Sequence, residues 1–474
     1  MSIDAFRHQF LQELLGKDDI SLTQDQDVAM ETFFRFLRAD VERATFLLTG
    51  SAGTGKTFMI NLVGQVLRRE GYRVFLLAPT GRAAKVITRR TQRLAYTIHH
   101  HIYSPRENAF GQVQFQLKGN KQPTRTVYIV DEASMIGDQS GEQGGEYLLT
   151  DLLSFIFQSD SYRKLIMVGD PVQLPPIGYP DSPALNPHEL RLSQDLSVFH
   201  THLTEVKRQL VDSGVLDNAV LIRNAFVEAR EASLHLESGR DVQVIENAYE
   251  GLETYLGYFE EGNLDRVVFI TYSNWQATRV NQAIRHHLWQ TDALLVPSDV
   301  LMVVKNNYAW GDPKRLPFIA NGEMGTVRTV YQESYEERYG LQWMDAEIEF
   351  VDKQGETILL VCKLILNLLT EKQAQLGREK LYHVSRERQQ EYMGLPKKEA
   401  KKLIQTDPYI NALQVKYGYA ITGHKAQGGQ WENVIIGFEP DYGQDLRAYI
   451  RWTYTVFTRA EERAFLLNCP FAYS

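Results

Sequence analysis

Over the first 200 residues, short apolar runs alternate with longer stretches whose apolar residues recur at helical spacing. The runs at 45–49, 74–78, 126–130 and 164–168 predict buried strands. Phe58-Met-Ile-Asn-Leu-Val-Gly-Gln-Val-Leu67 has the helical spacing. Such alternation predicts a parallel sheet with helices on both faces. Residues 103–123 break it: Asn108-Ala-Phe-Gly111 has turn chemistry, and Val113, Phe115 and Leu117 alternate, so a β-hairpin excursion is expected. A second alternation is expected from near Phe199, with strands at 267–271, 434–438 and 464–467 and a helix at 275–288. Residues 321–410 interrupt this second sheet. Their first half is strand-rich (325–330, 344–350, 357–361) and 387–405 is charged and helical, which reads as a small β-barrel with a helical arm.

Composition changes this picture little. A chain of 474 residues exceeds one ordinary core, and 43% hydrophobic with 23% charged residues is globular. No run approaches 18 apolar residues, and Met1-Ser-Ile-Asp-Ala-Phe-Arg7 lacks a signal-peptide pattern, so no membrane partner and a cytoplasmic location are expected. Two cysteines, Cys362 and Cys469, suit a reducing compartment and exclude a Cys-rich zinc site. A net charge of −8 argues against non-specific coating of nucleic acid, but leaves room for a local basic groove.

The chemistry starts at Gly50-Ser51-Ala52-Gly53-Thr54-Gly55-Lys56-Thr57, which fits G-x-x-x-x-G-K-[ST] throughout. In that pattern backbone N–H groups cradle phosphates, Lys56 reaches the β/γ-phosphates, and the Thr57 hydroxyl takes a Mg²⁺ position. The preceding apolar run and following helical pattern put the loop at a helix N-terminus, where anions bind. Next, Thr126-Val-Tyr-Ile-Val-Asp-Glu132 sets two carboxylates directly after a strand. Alone this is a solvated strand end; beside a phosphate loop, Asp131 suits Mg²⁺ and Glu132 the attacking water. A third strand ends in Gly169-Asp-Pro-Val-Gln-Leu-Pro-Pro176, and Gln173 suits a γ-phosphate contact; in isolation it is a Pro-rich turn. The run His99-His-His101 lacks partners at metal-ligand spacing and is not read as a metal site.

These three segments resemble motifs I, II and III of superfamily 1 helicases, and Asp131-Glu-Ala-Ser134 with Gly169–Pro176 resembles the RecD-like and Dda-like branch. Further motifs follow in family order. Leu22-Thr-Gln-Asp-Gln26 resembles the Q motif, residues 77–85 motif Ia, Thr97-Ile-His99 motif Ib, and Lys207-Arg-Gln209 motif IV. Residues 419–428 resemble motif V and 454–460 motif VI. The resemblance implies an α/β fold of two RecA-like parallel-sheet domains. The first spans 1–102 and 124–200, with a 103–123 hairpin pin. The second spans 201–320 and 411–474, with 321–410 as its barrel and helical insertion.

It further implies ATP and Mg²⁺ as cofactors, with Gln26 reading adenine. Arg208 and Arg459 would supply charge to the transferring phosphoryl group, and Gln427 and Gly428 would line the nucleotide cleft. Single-stranded nucleic acid would touch Thr80, Arg82, Lys85 and His99 from the first domain. Thr422, His424, Lys425 and Asn281 are the second domain's counterparts. Phe110 at the hairpin tip would stack on the last base pair, or equally pack on its own domain. The expected activity is that of a monomeric DNA helicase in repair or recombination, moving 5′ to 3′ on single-stranded and tailed duplex DNA; the polarity rests on the resemblance alone. A non-unwinding translocase and a nucleotide-switched DNA-binding subunit are the rival readings, and RNA remains open as the strand. Two departures stand out: Gly423 replaces a commonly β-branched residue of motif V, and Gly429-Gln-Trp431 follows it.

Overall fold

A computed structural model describes residues 21–107, 113–138, 147–206, 213–312, 315–316, 318–352, 355–439 and 445–472. The chain falls into two units: Met1–Pro79, Val86–Ser104 and Phe115–Leu216 form one, and Thr80–Lys85, Pro105–Gln114 and Asp217–Ser474 the other.

In the first unit, β1 (Ala44–Gly50), β2 (Arg73–Ala78), β3 (Ala95–Thr97), β4 (Thr126–Val130), β5 (Lys164–Gly169) and β6 (Ser197–Leu203) form one parallel sheet. Their spatial order is β3-β2-β4-β5-β1-β6. Every residue of β1, β4 and β5 is buried, as expected of strands covered on both faces. Helix α1 (Gln24–Arg38) starts at a capping box in which Thr23 and Gln26 satisfy each other's backbone N–H. It lays Phe33 and Phe36 on Phe46 of β1, with ring centroids 5.9 and 5.8 Å apart.

Strand β6 corrects the expectation that a second alternation begins near Phe199. The strand runs parallel to β1, and Phe199 meets Phe36 at 5.9 Å. Its polar side chains His200, Thr201 and His202 hide it from an apolar-run reading, because it lies at the edge of the sheet. The 103–123 excursion is a two-stranded sheet of Tyr103–Glu107 and Val113–Leu117. Its tip, with Phe110, lies outside the described residues.

The second unit holds another parallel sheet, of β7 (Val242–Ile245), β8 (Val267–Thr271), β9 (Ala420–Thr422), β10 (Trp431–Gly437) and β11 (Ala460–Leu467), in the order β9-β8-β10-β11-β7. The chain is thus α/β, with two RecA-like parallel-sheet units and a small barrel in the second. Strands Val300–Val303, Met324–Arg338, Leu341–Val351, Thr357–Ile365 and Leu413–Tyr417 close that barrel. Its first and last strands therefore lie on either side of 321–410. Met344, Ala346, Ile348 and Phe350 are buried at the period of a strand. The helical arm is two helices, Arg378–Glu391 and Lys397–Gln405, parted at Pro396. Buried Asp407 ties the arm down by accepting from Arg388 Nε (2.7 Å) and Tyr392 Oη (2.6 Å).

Sheet and barrel are joined by a buried ion pair. Asp299, which precedes the first barrel strand, accepts from Arg285 Nε and Tyr419 Oη, each at 2.9 Å, and from the Val296 N–H at 2.8 Å. Asp299→Ala would leave Arg285, 7% exposed, as an uncompensated buried charge. The expected loss is about 3–5 kcal/mol. A denaturant midpoint equal to that of the wild type would contradict it.

Candidate functional site

The phosphate loop leaves β1 and enters helix Lys56–Arg69. Gly55 has φ +87°, a conformation that calls for glycine, and its open face lets Gln26 Nε2 approach to 2.6 Å from where a Cβ would stand. Gln26 Nε2 donates to the Thr54 carbonyl at 3.1 Å. The third residue of α1, Gln26, therefore braces the loop backbone, beside its implied part in reading adenine.

Lys56 Nζ folds back to donate to the Gly50 and Ser51 carbonyls, both at 2.8 Å. It stands 3.9 Å from Asp170 Oδ2, which is fully buried at the end of β5. Asp170 also accepts from the Val172 N–H at 3.0 Å. A carboxylate this close to Lys56 is a member of the site, although no motif assigns Asp170 a part in it. Its signal was a carboxylate placed directly after the apolar run Leu165–Val168 and a glycine.

Asp131 ends β4, its N–H bonded to the Leu77 carbonyl at 3.0 Å. Desolvation, and then the like charge of Glu132, push the Asp131 carboxyl up to about 7. A divalent cation would reverse that shift. Glu132 itself is left-handed at φ +52°, which turns it out of the strand direction. Ser51 Oγ and Gln173 Oε1 are buried with no hydrogen-bond partner among the described residues. Buried polar groups are ordinarily satisfied, so the Ser51 hydroxyl fits a phosphate oxygen, and Gln173 Oε1, an acceptor, fits a donor such as a water. A triphosphate with Mg²⁺ matches the donor set: Thr57 and Asp131 would hold the metal, and Lys56 and the loop N–H groups the phosphates. Arg208 lies outside the described residues.

The second unit carries most of the remaining candidates. Arg459 is 4% exposed; Nε donates to Thr455 O (2.9 Å), Nη1 to Gly429 O (3.3 Å) and Nη2 to Thr458 Oγ1 (2.9 Å). Gln427 is buried, and a Cβ on Gly428 would meet that of Ala83 at 2.6 Å. Motif Ia thus packs with this unit. Thr80 Oγ1 accepts from the Ala83 N–H at 3.2 Å, and Arg82 pairs with Asp265 at 3.0 Å while lying over the Trp431 ring at 3.8 Å. That stack accounts for Gly429-Gln-Trp431: a Cβ on Gly429 would lie 2.5 Å from Arg82 Nε.

Lys85 is ion-paired with Glu323, and Lys425 donates to Asn321. Both acceptors belong to one turn, closed by the Glu323 N–H on the Ala320 carbonyl at 3.0 Å. No motif pointed to this turn. Burial pulls the Lys425 ammonium down to about 8. Thr422 ends β9 and His424 is exposed beyond it. Gly423 has a physical reason as well, because a Cβ would stand 2.4 Å from Trp452 Nε1 and 3.0 Å from Val456 Cγ1.

Asn281 is a correction. It is 4% exposed, and its amide is spent on both backbone groups of Ala420, at 2.7 and 2.8 Å. It braces β9 and does not present a group to nucleic acid. In the first unit, His99 is half-buried and its ring lies 5.8 Å from that of Tyr103. Its neighbour His101 belongs to the core: burial, then Lys118 and His100, hold it down at about 4. Among the described residues no group of three or more His, Cys, Asp or Glu could hold a metal, and no helix is long and apolar enough to cross a membrane.

The fold and the loop, Asp-Glu and Gly-Asp-x-x-Gln strand ends define a phosphate-loop nucleotide-binding protein. The AAA domain family model matches residues 21–248, and the UvrD-like helicase C-terminal domain matches 417–467. An uncharacterized protein of Methanocaldococcus jannaschii is 22% identical over 95% of this chain and 38% of its own length. The ATP-dependent RecD2 DNA helicase of Deinococcus radiodurans is 31% identical over 28% of this chain and 16% of its own. The chain thus spans well under half the length of these curated relatives. Among solved structures, a Pif1 helicase from Bacteroides in complex with ADP-AlF3 and ssDNA is 14% identical, covering 95% of this chain and 93% of that one, with a TM-score of 0.48. Pif1 from Candida albicans is 16% identical over 95% of both, with a TM-score of 0.43.

Proposed function

We propose that the chain is an ATP- and Mg²⁺-dependent DNA helicase that moves 5′ to 3′ along a single strand and separates duplex. The observation that carries this reading is the convergence of Lys56, Asp170, Asp131, Glu132 and Gln173 on the C-terminal ends of adjacent strands β1, β4 and β5. Ligands on parallel sheets bind at those ends. Lys56 and Ser51 would hold the terminal phosphates, and Gln173 would donate to the γ-phosphate. Glu132 would take the proton of the attacking water as its oxygen bonds to γ-phosphorus and the bond to ADP breaks. Mg²⁺ on Thr57 and Asp131 would neutralise charge developing on the phosphate oxygens. Arg459, with Arg208, is our candidate for the cation that completes turnover.

Thr80, Arg82, Lys85, His99, Thr422, His424 and Lys425 are proposed contacts to the strand, with tailed duplex DNA as the substrate and a monomer as the working form. The test is strand separation on duplexes with 5′ or 3′ single-stranded tails, in DNA and in RNA, with and without ATP. ATP-dependent opening of 5′-tailed DNA is expected. Opening of 3′-tailed DNA alone would overturn the polarity, and no opening of any substrate would overturn the helicase reading.

A further inference from the structure

Trp343, Trp431 and Trp452 are buried, whereas Trp275 is 43% exposed. It sits in the first turn of helix Asn274–Trp289, which follows β8. At that end of the sheet Thr271 of β8 pairs with Thr422 of β9, within motif V, and Trp275 follows four residues further along the chain. Two exposed cations flank it. The Arg279 guanidinium, one helical turn on, lies 4.7 Å from the ring centroid, and Lys372, from the segment leading into the helical arm, lies 5.8 Å away. The nearby carboxylate of Glu439 is held by the Ser273 N–H (3.1 Å) and hydroxyl (2.5 Å).

A single exposed apolar side chain needs no explanation by itself. Here, however, a flat ring is held by two cations on a protein of net charge −8, at the strand ends where this sheet would meet its ligand. Aromatic faces interleaved with cations are the chemistry that grips single-stranded nucleic acid: the ring stacks a base and the cations meet phosphates. We propose that Trp275 is a base-stacking platform, with Arg279 and Lys372 as its phosphate contacts, that extends the single-strand track of motif V. This deepens the function proposed above and rests on it.

The test uses the full chain and a labelled oligothymidylate, with anisotropy titrations at several salt concentrations. Trp275→Ala should weaken binding on the order of 10- to 100-fold. The slope of log K against log salt should not change, because stacking releases no counterions. Arg279→Ala and Lys372→Ala should each flatten that slope by about 0.7. Trp275→Phe should recover most of the affinity. On an abasic strand of equal length, Trp275→Ala and wild type should bind alike. Unaltered oligothymidylate affinity in Trp275→Ala would overturn the platform, as would an equal loss on the abasic strand or no recovery by phenylalanine. Wild-type protein that ignores single strands altogether would overturn the proposed function instead.

Discussion

Replacing Lys56 by alanine is expected to reduce ATP turnover on the order of 10²–10³-fold or more while the fold persists. The side chain folds its ammonium into the phosphate loop, bound to the Gly50 and Ser51 carbonyls and close to buried Asp170. The loop's N–H groups survive the substitution, so weak nucleotide binding should remain. What is lost is the charge that follows negative charge onto the bridging and terminal phosphate oxygens. Arginine is no substitute, because a planar fork cannot take the place of a compact point charge. Phosphate release at saturating single-stranded DNA measures the effect, with circular dichroism as the folding control. A turnover number equal to wild type would remove Lys56 from the site.

Glu132→Gln should separate binding from chemistry. The amide is nearly isosteric with the carboxylate but cannot accept the proton of the attacking water. Loss of a positioned general base costs about 10²–10⁴-fold. Nucleotide affinity should hold or rise, because a negative charge beside the phosphates and beside Asp131 disappears. The expected signature is thus tight ATP binding, measured by titration of a fluorescent analogue, with stalled turnover. Weak binding with normal turnover would reverse the roles of Asp131 and Glu132.

Where elements are locally determined, their positions were legible in the chain. Runs buried on both faces, such as β4 at Thr126–Val130 and β8 at Val267–Thr271, stand in the sequence as unbroken apolar blocks. Strand β6 was not legible, because at a sheet edge half of its residues face outward and its histidines mask the pattern. The barrel's first and last strands were also missed. They are short, and what makes them barrel strands is pairing across a long stretch of chain, of Leu301 with Tyr417 for instance. The site divides along the same line. The loop and the two carboxylates are contiguous motifs, whereas the acceptors facing Lys85 and Lys425 come from a turn far along the chain. Asn281 shows the opposite error: a polar residue in a plausible place whose amide the fold had already used.

The contact between Gly423 and Trp452 bears on how this sequence can change. Where a branched side chain would stand, the indole of a neighbouring helix fills the volume, with no room left for even a methyl group. The two positions therefore share one space and cannot be varied independently. Position 452 has to shrink before position 423 can grow; in the other order the intermediate clashes. A mutational scan made one residue at a time would score Gly423 as immutable. A paired library could return it to the branched residue, with the space moved from one helix to the other.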